Sequence, residues 1–395
     1  MTIRLRKPLV YVTRDIERAL GREPKDGYFV ISNDTPYGRM VRERYPDNVW
    51  LVGPDPSGEQ FDTYGLLSLP SVAQAILERG ADVLVFQNTA RIERLASERG
   101  WNLLNPSAAL AKEIEEKVSQ IAWLEKDAEL LPPHRIAKMK DVVFEGKRFV
   151  LQFNHSHTGE GTHVIESADA LSALAVKFPE RECRVVEFVD GPVLTVNVVS
   201  GSWPIIGSIS YQITGIAPFT DLPFSTIGND WSLAASAEFT NKDRATIRSM
   251  ARKIGRRMHR SGWKGLFGID VVKDSTTGKI HLLEINARQP ASTAFESQLQ
   301  TKTTIFDAHI AALLGRSWKI WRLSPLKGGS QIVKRKTEKT HTVDTKALES
   351  KGLAVIKYEA GPHNKELFRI QSNEGVIAGH GRLNALGNFI ASCIR

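Results

Sequence analysis

The first hundred residues alternate between short apolar runs and segments whose apolar positions recur with a helical period. Three runs of four apolar residues have the length of buried strands, and each is followed by a helical pattern. The strands are predicted at 28–31, 49–52 and 83–86, and the helices at 71–79, at 89–99 and in a segment that ends at Arg44. Strand and helix in alternation predict a parallel sheet with right-handed crossovers. We therefore expect an α/β domain over residues 1–102.

The pattern changes after residue 103, where pairs of strands are joined by turns and separated by longer helices. Strands are predicted at 148–153, 162–165, 183–189, 193–199, 204–213, 268–273 and 279–285, and helices at 107–124, 168–178, 241–260 and 304–314. Residues 327–395 predict a separate, small β-rich piece that ends in a helix over 382–392. We therefore divide the chain into residues 1–102, 103–325 and 326–395.

Composition agrees with this division. A chain of 395 residues is too long for one compact core, and its 42% hydrophobic and 25% charged residues are typical of globular proteins. No apolar run approaches the roughly 20 residues of a membrane span, and Pro8–Thr13 is too short for the apolar part of a signal peptide. The two cysteines fit no zinc or redox pattern. A cytoplasmic location without membrane association is expected.

The formal net charge is +9, which suits either a nucleic-acid ligand or small phosphorylated ligands. The basic residues are spread along the chain, and the densest cluster is Lys334-Arg335-Lys336. The sequence has no basic tail, no zinc-finger spacing and no basic strand interleaved with aromatic residues. Nucleic-acid binding is therefore the less favoured interpretation.

The segment 268–288 carries the most specific chemistry. Its two predicted strands are joined by a five-residue turn, so a hairpin would bring Asp270 toward Glu284 and leave Asn286 on the same face as Glu284. Two carboxylates and an amide oxygen form a site for a hard cation such as Mg²⁺. Arg288 follows, and its planar guanidinium suits a phosphate or carboxylate oxygen. The alternative is an ordinary surface hairpin with solvated acidic side chains.

The run Leu-Leu-Glu-Ile-Asn-Ala-Arg, preceded by an aspartate on another strand, resembles the metal-binding end of the ATP-grasp ligases. That resemblance implies an α+β core of two subdomains over residues 103–325, preceded by the parallel-sheet domain. It also implies that a lysine, a glycine-bearing hairpin and a linking strand bind the nucleotide. The matching residues are Lys117, then Gln152 with Gly159 and Gly161, then Glu187 with the backbone of Phe188 and Val189.

Two positions depart from the pattern that the resemblance implies. The first strand of the glycine hairpin usually ends with a lysine that reaches the phosphates, and this chain has Gln152 there. An acid that meets the ribose commonly follows the glycine of the linking strand, and this chain has Val193. We expect that the missing positive charge comes from elsewhere, with His155, His157 and His163 as nearby candidates, and that Asp190 is the candidate substitute for the acid.

The resemblance implies an ATP-dependent ligase that activates a carboxylate as an acyl phosphate and joins it to an amine. ATP and Mg²⁺, with Mn²⁺ as an alternative, are the expected cofactors, and a small carboxylate and a small amine are the expected partners. Asp270, Glu284 and Asn286 would hold the metal, Arg288 would stabilise the transferred group together with Gln152, and Ser292 and Thr293 would meet the substrate. A bicarbonate-activating carboxylase and a catalytically impaired ATP-binding protein are the alternatives. The sequence leaves the oligomeric state undecided, with a homodimer as one candidate.

Overall fold

The computed structural model describes residues 3–154, 161–316, 322–339, 342–358 and 363–395. These residues form four β-sheets covered by helices. Within the described ranges, no helix combines the length and apolar character that a membrane span requires.

The N-terminal sheet is parallel throughout, with strand order β3-β2-β1-β4. Its strands are β1 (Leu9–Val12), β2 (Tyr28–Asn33), β3 (Val49–Val52) and β4 (Asp82–Val85), and its helices are α1 (Pro36–Arg44), α2 (Thr63–Ser68), α3 (Pro70–Glu78) and α4 (Ala90–Glu98). Apolar side chains cover both faces of the sheet, as a parallel sheet requires. The predicted parallel sheet is confirmed, although its central strand β1 was not predicted.

The segment predicted as one helix over 107–124 is two helices, so that prediction was wrong. They are α5 (Ala108–Glu115) and α6 (Ser119–Leu124). The backbone is extended at Glu116, and the Ser119 hydroxyl donates to the carbonyl oxygen of Glu113 at 2.8 Å. The break leaves Lys117 between the two helices, where its side chain is buried.

A small antiparallel sheet follows, with strand order β5-β8-β6-β7. Its elements are β5 (His134–Lys138), β6 (Phe149–Phe153), β7 (Thr162–Ile165), α7 (Ala168–Lys177) and β8 (Glu182–Glu187). Leu151, Phe153, Leu171 and Cys183 are among the side chains that form a separate apolar core between this sheet and α7. The sheet and helix therefore form a compact lobe of their own.

The largest sheet has eight strands in the order β13-β12-β9-β10-β11-β14-β16-β15. Its strands are β9 (Val193–Val199), β10 (Ile205–Thr214), β11 (Thr226–Asp230), β12 (Leu266–Lys273), β13 (Ile280–Asn286), β14 (Ser330–Arg335), β15 (Ala354–Lys357) and β16 (Glu366–Ser372). The associated elements are α8 (Trp231–Ala235), α9 (Asn241–Arg260), α10 (Thr293–Leu299), α11 (Ile305–Leu313), α12 (Thr345–Ser350), β17 (Ile377–Gly379), β18 (Arg382–Leu383) and α13 (Ala385–Ser392).

After residue 326, β14, β15 and β16 belong to the large sheet and β17 and β18 pair with each other in a small two-stranded sheet, which corrects the expectation of a separate β-rich piece. β14 pairs antiparallel with β11, and β16 and β15 continue the large sheet beyond it. The pairing depends on Gly228, because a Cβ there would lie 2.0 Å from the carbonyl oxygen of Gln331. The boundary between 103–325 and 326–395 stays a prediction.

The N-terminal domain packs against α11 and the loop before α10. Phe306 of α11 lies against Gly21 and the rings of Tyr11 and Tyr28. The Tyr11 hydroxyl donates to Oε1 of Gln289 at 2.9 Å. These contacts place the carboxyl end of β1 beside the loop that follows the hairpin of β12 and β13, which is called the metal-site hairpin below.

Candidate active site

The hairpin of β12 and β13 brings together the three side chains predicted to hold a metal. Asp270 and Glu284 are directly opposite in the antiparallel register, and Gly268 is opposite Asn286. Nδ2 of Asn286 donates to Oδ2 of Asp270 at 3.0 Å. The convergence expected from the sequence is therefore present, whereas the role of these residues as metal ligands stays a prediction.

Asp270 is a buried carboxyl group whose hydrogen-bond partners are neutral. Besides Asn286, the Thr195 hydroxyl donates to its Oδ1 at 2.7 Å. Burial and the nearby charge of Glu284 raise the pKa of Asp270 to about 6. A cation bound between the two carboxylates would favour the ionised form of both.

Asp270, Glu284 and Asn286 fit Mg²⁺ only if other ligands complete the coordination of the ion. Two carboxylates and an amide leave coordination positions for phosphate oxygens and water, which is the usual arrangement of Mg²⁺ in phosphoryl-transfer sites. In the part of the chain that the structure describes, no three acidic, histidine or cysteine side chains are grouped as a complete metal centre. The residues therefore fit a metal that arrives with a nucleotide.

Glu284 also binds Lys117, from the break between α5 and α6. Nζ of Lys117 lies 2.6 Å from Oε1 of Glu284. Burial in the cleft opposes ionisation of Glu284, but the charges of Lys117, Arg288 and Arg184 outweigh it and hold the pKa of Glu284 below its ordinary value. Lys117 therefore reaches the metal-site hairpin, which the predicted continuous helix would not have explained.

Arg288 forms an ion pair with Glu115, the last residue of α5. Glu115 was not singled out from the sequence, because 173 positions separate the two residues. The pair fixes one side of the guanidinium at the end of α5. Other N–H groups of Arg288 are then available to a ligand in the cleft.

Gln152 is held by Arg184 on the neighbouring strand. The two residues are opposite in the register of β6 and β8. Two N–H groups of Arg184, Nε and Nη2, donate to Oε1 of Gln152 at 2.9 and 2.7 Å. A basic residue therefore lies directly beside the position where the resemblance implied a lysine, and the sequence analysis missed it.

β8 and residues 188–192, together called the linking strand, join the small sheet to β9 of the large sheet. β8 stops at Glu187, so the backbone of Phe188 and Val189 leaves the sheet. The guanidinium of Arg148 lies 4.0 Å from the ring centre of Phe188. The side chain of Glu187 is exposed, and its place beside a bound base stays a prediction.

Gly191 makes that close approach between the linking strand and the hairpin feasible. A Cβ at Gly191 would lie 2.0 Å from the carbonyl oxygen of Lys273. Two hydrogen bonds join the segments: the Lys273 amide donates to the Pro192 oxygen at 3.1 Å, and the Ser275 amide donates to the Asp190 oxygen at 2.9 Å. The linking strand is therefore fixed to the carboxyl end of β12.

Ser292 and Thr293 lie at the start of α10, directly after the Arg288 loop. Both are buried, and neither caps α10: Ser292 occupies the N-cap position without a side-chain hydrogen bond to the helix. Nδ2 of Asn197 donates to the Ser292 hydroxyl at 3.1 Å. The Ser292 hydroxyl therefore bonds to the neighbouring strand β9, and contact of either hydroxyl with a substrate stays a prediction.

The glycine hairpin is described only in part. Gly159 lies outside the described residues, together with His155 and His157. The carbonyl oxygen of Gly161 accepts a hydrogen bond from the Phe153 amide at 2.9 Å. The ring of His163 packs edge-on against Phe153. Among the described residues, Arg184 supplies a charged group hydrogen-bonded to Gln152.

The family model for the ATP-grasp domain matches residues 114–292. That span contains Lys117, Gln152, Glu187 and the whole metal-site hairpin. Residues 114–292 form an ATP-grasp domain. The resemblance seen in the sequence is therefore confirmed. A comparison with curated proteins finds no match.

The ATP-grasp domain lies in a chain whose whole fold matches solved structures. N5-carboxyaminoimidazole ribonucleotide synthetase from Thermotoga maritima is 16% identical, with a TM-score of 0.63 and 99% of each chain covered. L-amino acid ligase from Bacillus licheniformis is 15% identical, with a TM-score of 0.61, covering 95% of this chain and 94% of that one. The biotin carboxylase domain of Hydrogenobacter thermophilus 2-oxoglutarate carboxylase is 14% identical, with a TM-score of 0.64, covering 93% of this chain and 86% of that one. At these identities the similarity shows a common fold.

Proposed function

We propose that this ATP-grasp protein is an ATP-dependent ligase that joins a carboxylate to an amine. The observation that carries the proposal is the convergence of Asp270, Glu284 and Asn286 at one end of the domain, with Lys117 and Arg288 at its edge. An ordinary surface hairpin would leave its acidic side chains solvated. Here Asp270 is buried and Glu284 is paired with a buried lysine.

The metal residues would hold Mg²⁺, with Mn²⁺ as an alternative. When bound, the ion would neutralise phosphate charge and so favour transfer of a phosphoryl group to the substrate carboxylate, giving an acyl phosphate. Asp270 and Glu284 supply the two negative charges, and Asn286 supplies an amide oxygen. Thr195 keeps Asp270 oriented through its 2.7 Å hydrogen bond.

Lys117 and Arg288 would bind the anionic parts of the reaction. Lys117 lies against Glu284 and can contact phosphate oxygens while that carboxylate faces the metal. Arg288 would stabilise the negative charge that develops on the transferred group and on the tetrahedral intermediate. Glu115 holds the guanidinium in place, which reduces the motion lost on binding.

The remaining residues would position the nucleotide. Glu187 and the backbone of Phe188 and Val189 would meet the base, and Gly159 and Gly161 would let the hairpin backbone approach the phosphates closely. Gln152 would contact a phosphate oxygen as a neutral donor. Ser292 and Thr293, at the start of α10 directly after the Arg288 loop, would meet the substrate.

A second candidate is a carboxylase-like enzyme that activates bicarbonate. Its support is the structural similarity to the biotin carboxylase domain, whose structure contains MgADP and bicarbonate. The same metal residues and Arg288 would serve either acid. The two candidates differ in the acid that stimulates ATP hydrolysis.

The test is release of ADP and phosphate by the purified protein with Mg²⁺, across a set of amino acids, other small acids and bicarbonate. We expect turnover that requires one carboxylate and is coupled to disappearance of an amine. Stimulation by bicarbonate alone would favour the second candidate. Nucleotide binding without turnover for any pair would contradict both and favour an impaired ATP-binding protein.

A further inference from the structure

The guanidinium of Arg184 lies at the junction of both sheets and the segment that carries Lys117. Arg184 is 1% exposed. Its Nε and Nη2 donate to Gln152, its Nη1 donates to Oε1 of Gln120 at 3.0 Å, and Nη2 also lies 3.4 Å from the carbonyl oxygen of Leu283. Leu283 is the neighbour of Glu284 in β13, so this contact places Arg184 beside the metal-site hairpin.

These hydrogen-bond acceptors are all neutral, although they surround a charge. In the described part of the chain, no carboxylate is hydrogen-bonded to Arg184. Burial lowers the pKa of Arg184 to about 10, and the nearby charge of Glu284 opposes that change, so the guanidinium remains charged at neutral pH. A buried cation with neutral partners attracts an anion to the adjoining surface.

Arg184 also determines which way the Gln152 amide faces. Guanidinium groups only donate hydrogen bonds, so the bidentate contact fixes the Gln152 oxygen toward β8. Nε2 of Gln152 must then point away from Arg184, and it lies 3.5 Å from the hydroxyl of Thr162 on the second strand of the glycine hairpin. Gln152 is partly exposed, so its amide nitrogen is a hydrogen-bond donor at the surface of the small sheet.

The segment that carries Lys117 packs on the end of β6, close to this pair. The amide of Val118 donates to Oδ1 of Asn154 at 2.7 Å. Lys117 therefore approaches the metal-site hairpin from the same side as Gln152. Arg184 contacts both Gln152 and the carbonyl oxygen of Leu283, and Lys117 pairs with the adjacent Glu284, so these contacts connect the three side chains to the same part of β13.

We propose that Gln152 and Arg184 act as a pair that binds a phosphate group of the nucleotide. Gln152 donates the hydrogen bond, and Arg184 is a positioning residue that orients the amide and supplies the positive charge behind it. The pair takes the place of the lysine that the resemblance implies at position 152: Gln152 supplies a neutral amide on β6, and Arg184 supplies the positive charge on the adjacent strand β8. This inference rests on the proposed binding of ATP and names the residues that recognise its phosphates.

The experiment compares ADP with adenosine, because only ADP carries phosphate. Binding of each to the whole protein is measured by calorimetry in the presence of Mg²⁺. We expect Arg184→Gln to weaken ADP binding about ten- to a hundredfold, since it removes a charge-assisted interaction. Adenosine binding should change by less than about threefold, because adenosine has no phosphate and its base would lie at the linking strand, away from Arg184.

Two further variants separate charge from structure. Gln152→Lys in the Arg184→Gln background returns a cation to the site, and we expect it to recover most of the lost ADP affinity. Arg135→Gln removes an exposed cation from β5, opposite Val185 in the register, and should leave ADP binding within about twofold of wild type. Thermal unfolding without nucleotide checks that each variant is folded.

Equal weakening of ADP and adenosine by Arg184→Gln, or no recovery in the double variant, would show that Arg184 is purely structural and would overturn the proposal. Should Arg184→Gln not fold, Gln152→Leu makes the same test, because it removes the amide donor and leaves the guanidinium in place. That variant must then lose ADP binding and keep adenosine binding. Absence of ADP binding to the wild-type protein would instead contradict the proposed function itself.

Discussion

The buried carboxyl group of Glu296 predicts how the free energy of unfolding changes with pH. Glu296 lies in α10, which follows the Arg288 loop, and is fully buried; among the residues that the structure describes, its hydrogen-bond partners are uncharged. Its Oε1 accepts from the Ser208 amide and its Oε2 accepts from Nδ2 of Asn197, both at 2.6 Å. Burial raises the pKa of Glu296 from 4.5 to about 7, against the opposing effect of these two donors.

The raised pKa means that the folded state binds this proton more tightly than the unfolded state. The stabilising contribution of the protonated group is therefore fully present below pH 4.5 and is lost as pH rises through 7. Since a tenfold change in proton affinity is worth about 1.4 kcal/mol, the loss amounts to about 3 kcal/mol by pH 8. Glu296→Gln keeps the shape of the side chain and removes the titration.

The assay is guanidinium-induced unfolding of wild type and Glu296→Gln at pH 5, 6, 7 and 8. The amide nitrogen of Gln cannot accept one of the two hydrogen bonds from Ser208 and Asn197, which lowers the stability of the variant by an amount that does not depend on pH. We expect the stability of the variant relative to wild type to rise by about 2 to 3 kcal/mol between pH 5 and pH 8. Glu98→Gln, at an exposed position in α4, is the matched control and should show no such divergence. A stability difference that does not change with pH would refute the reasoning, because Glu296 would then titrate alike in both states.

Two other predictions concern the metal-site hairpin and the sheet extension. Glu284→Gln should reduce ADP release at least about a hundredfold, and it should also lower stability because it leaves the buried Lys117 without its carboxylate partner. Unchanged turnover, with exposed Glu113→Gln as the control, would remove Glu284 from the metal site. Gly228→Ala should destabilise the protein by about 2 to 4 kcal/mol, since its Cβ would meet the Gln331 carbonyl, whereas Gly53→Ala has open space and should cost less than about 0.5 kcal/mol. Equal unfolding midpoints for the two glycine variants would argue against the β11–β14 pairing.

Local pattern was enough to predict the parallel sheet, α9 and the metal-site hairpin. Each of these depends on contacts between residues close in sequence or on a long, regular apolar period. α9 was predicted over 241–260 and has those bounds, because a capping box at Thr240 and Asp243 starts it and an apolar face runs its length. β1 is an apolar run as long as the three that were predicted, so its pattern was present in the sequence; the run Pro8–Thr13 was considered only as part of a signal peptide.

The rest of the candidate site depends on contacts between distant parts of the chain. Lys117 and Glu284 are 167 positions apart, and nothing around Lys117 shows that its helix breaks there. Arg184 looks like an ordinary strand residue until the register of β6 and β8 sets it opposite Gln152. The joining of β14 to β11 likewise depends on one glycine in a segment that otherwise has the composition of a loop.

The attachment of the linking strand to β12 sets a fixed length. Pro192 is bonded to the backbone of Lys273, and Asp270 lies three residues earlier on the same strand. Three residues of extended chain span about 10 Å. A ligand whose base rests at the linking strand reaches the carboxylates only if it extends that far, which a base alone does not and a base with ribose and phosphates does. β12 therefore sets the distance between the linking strand and the two carboxylates, and an insertion or deletion within it would change which ligands fit.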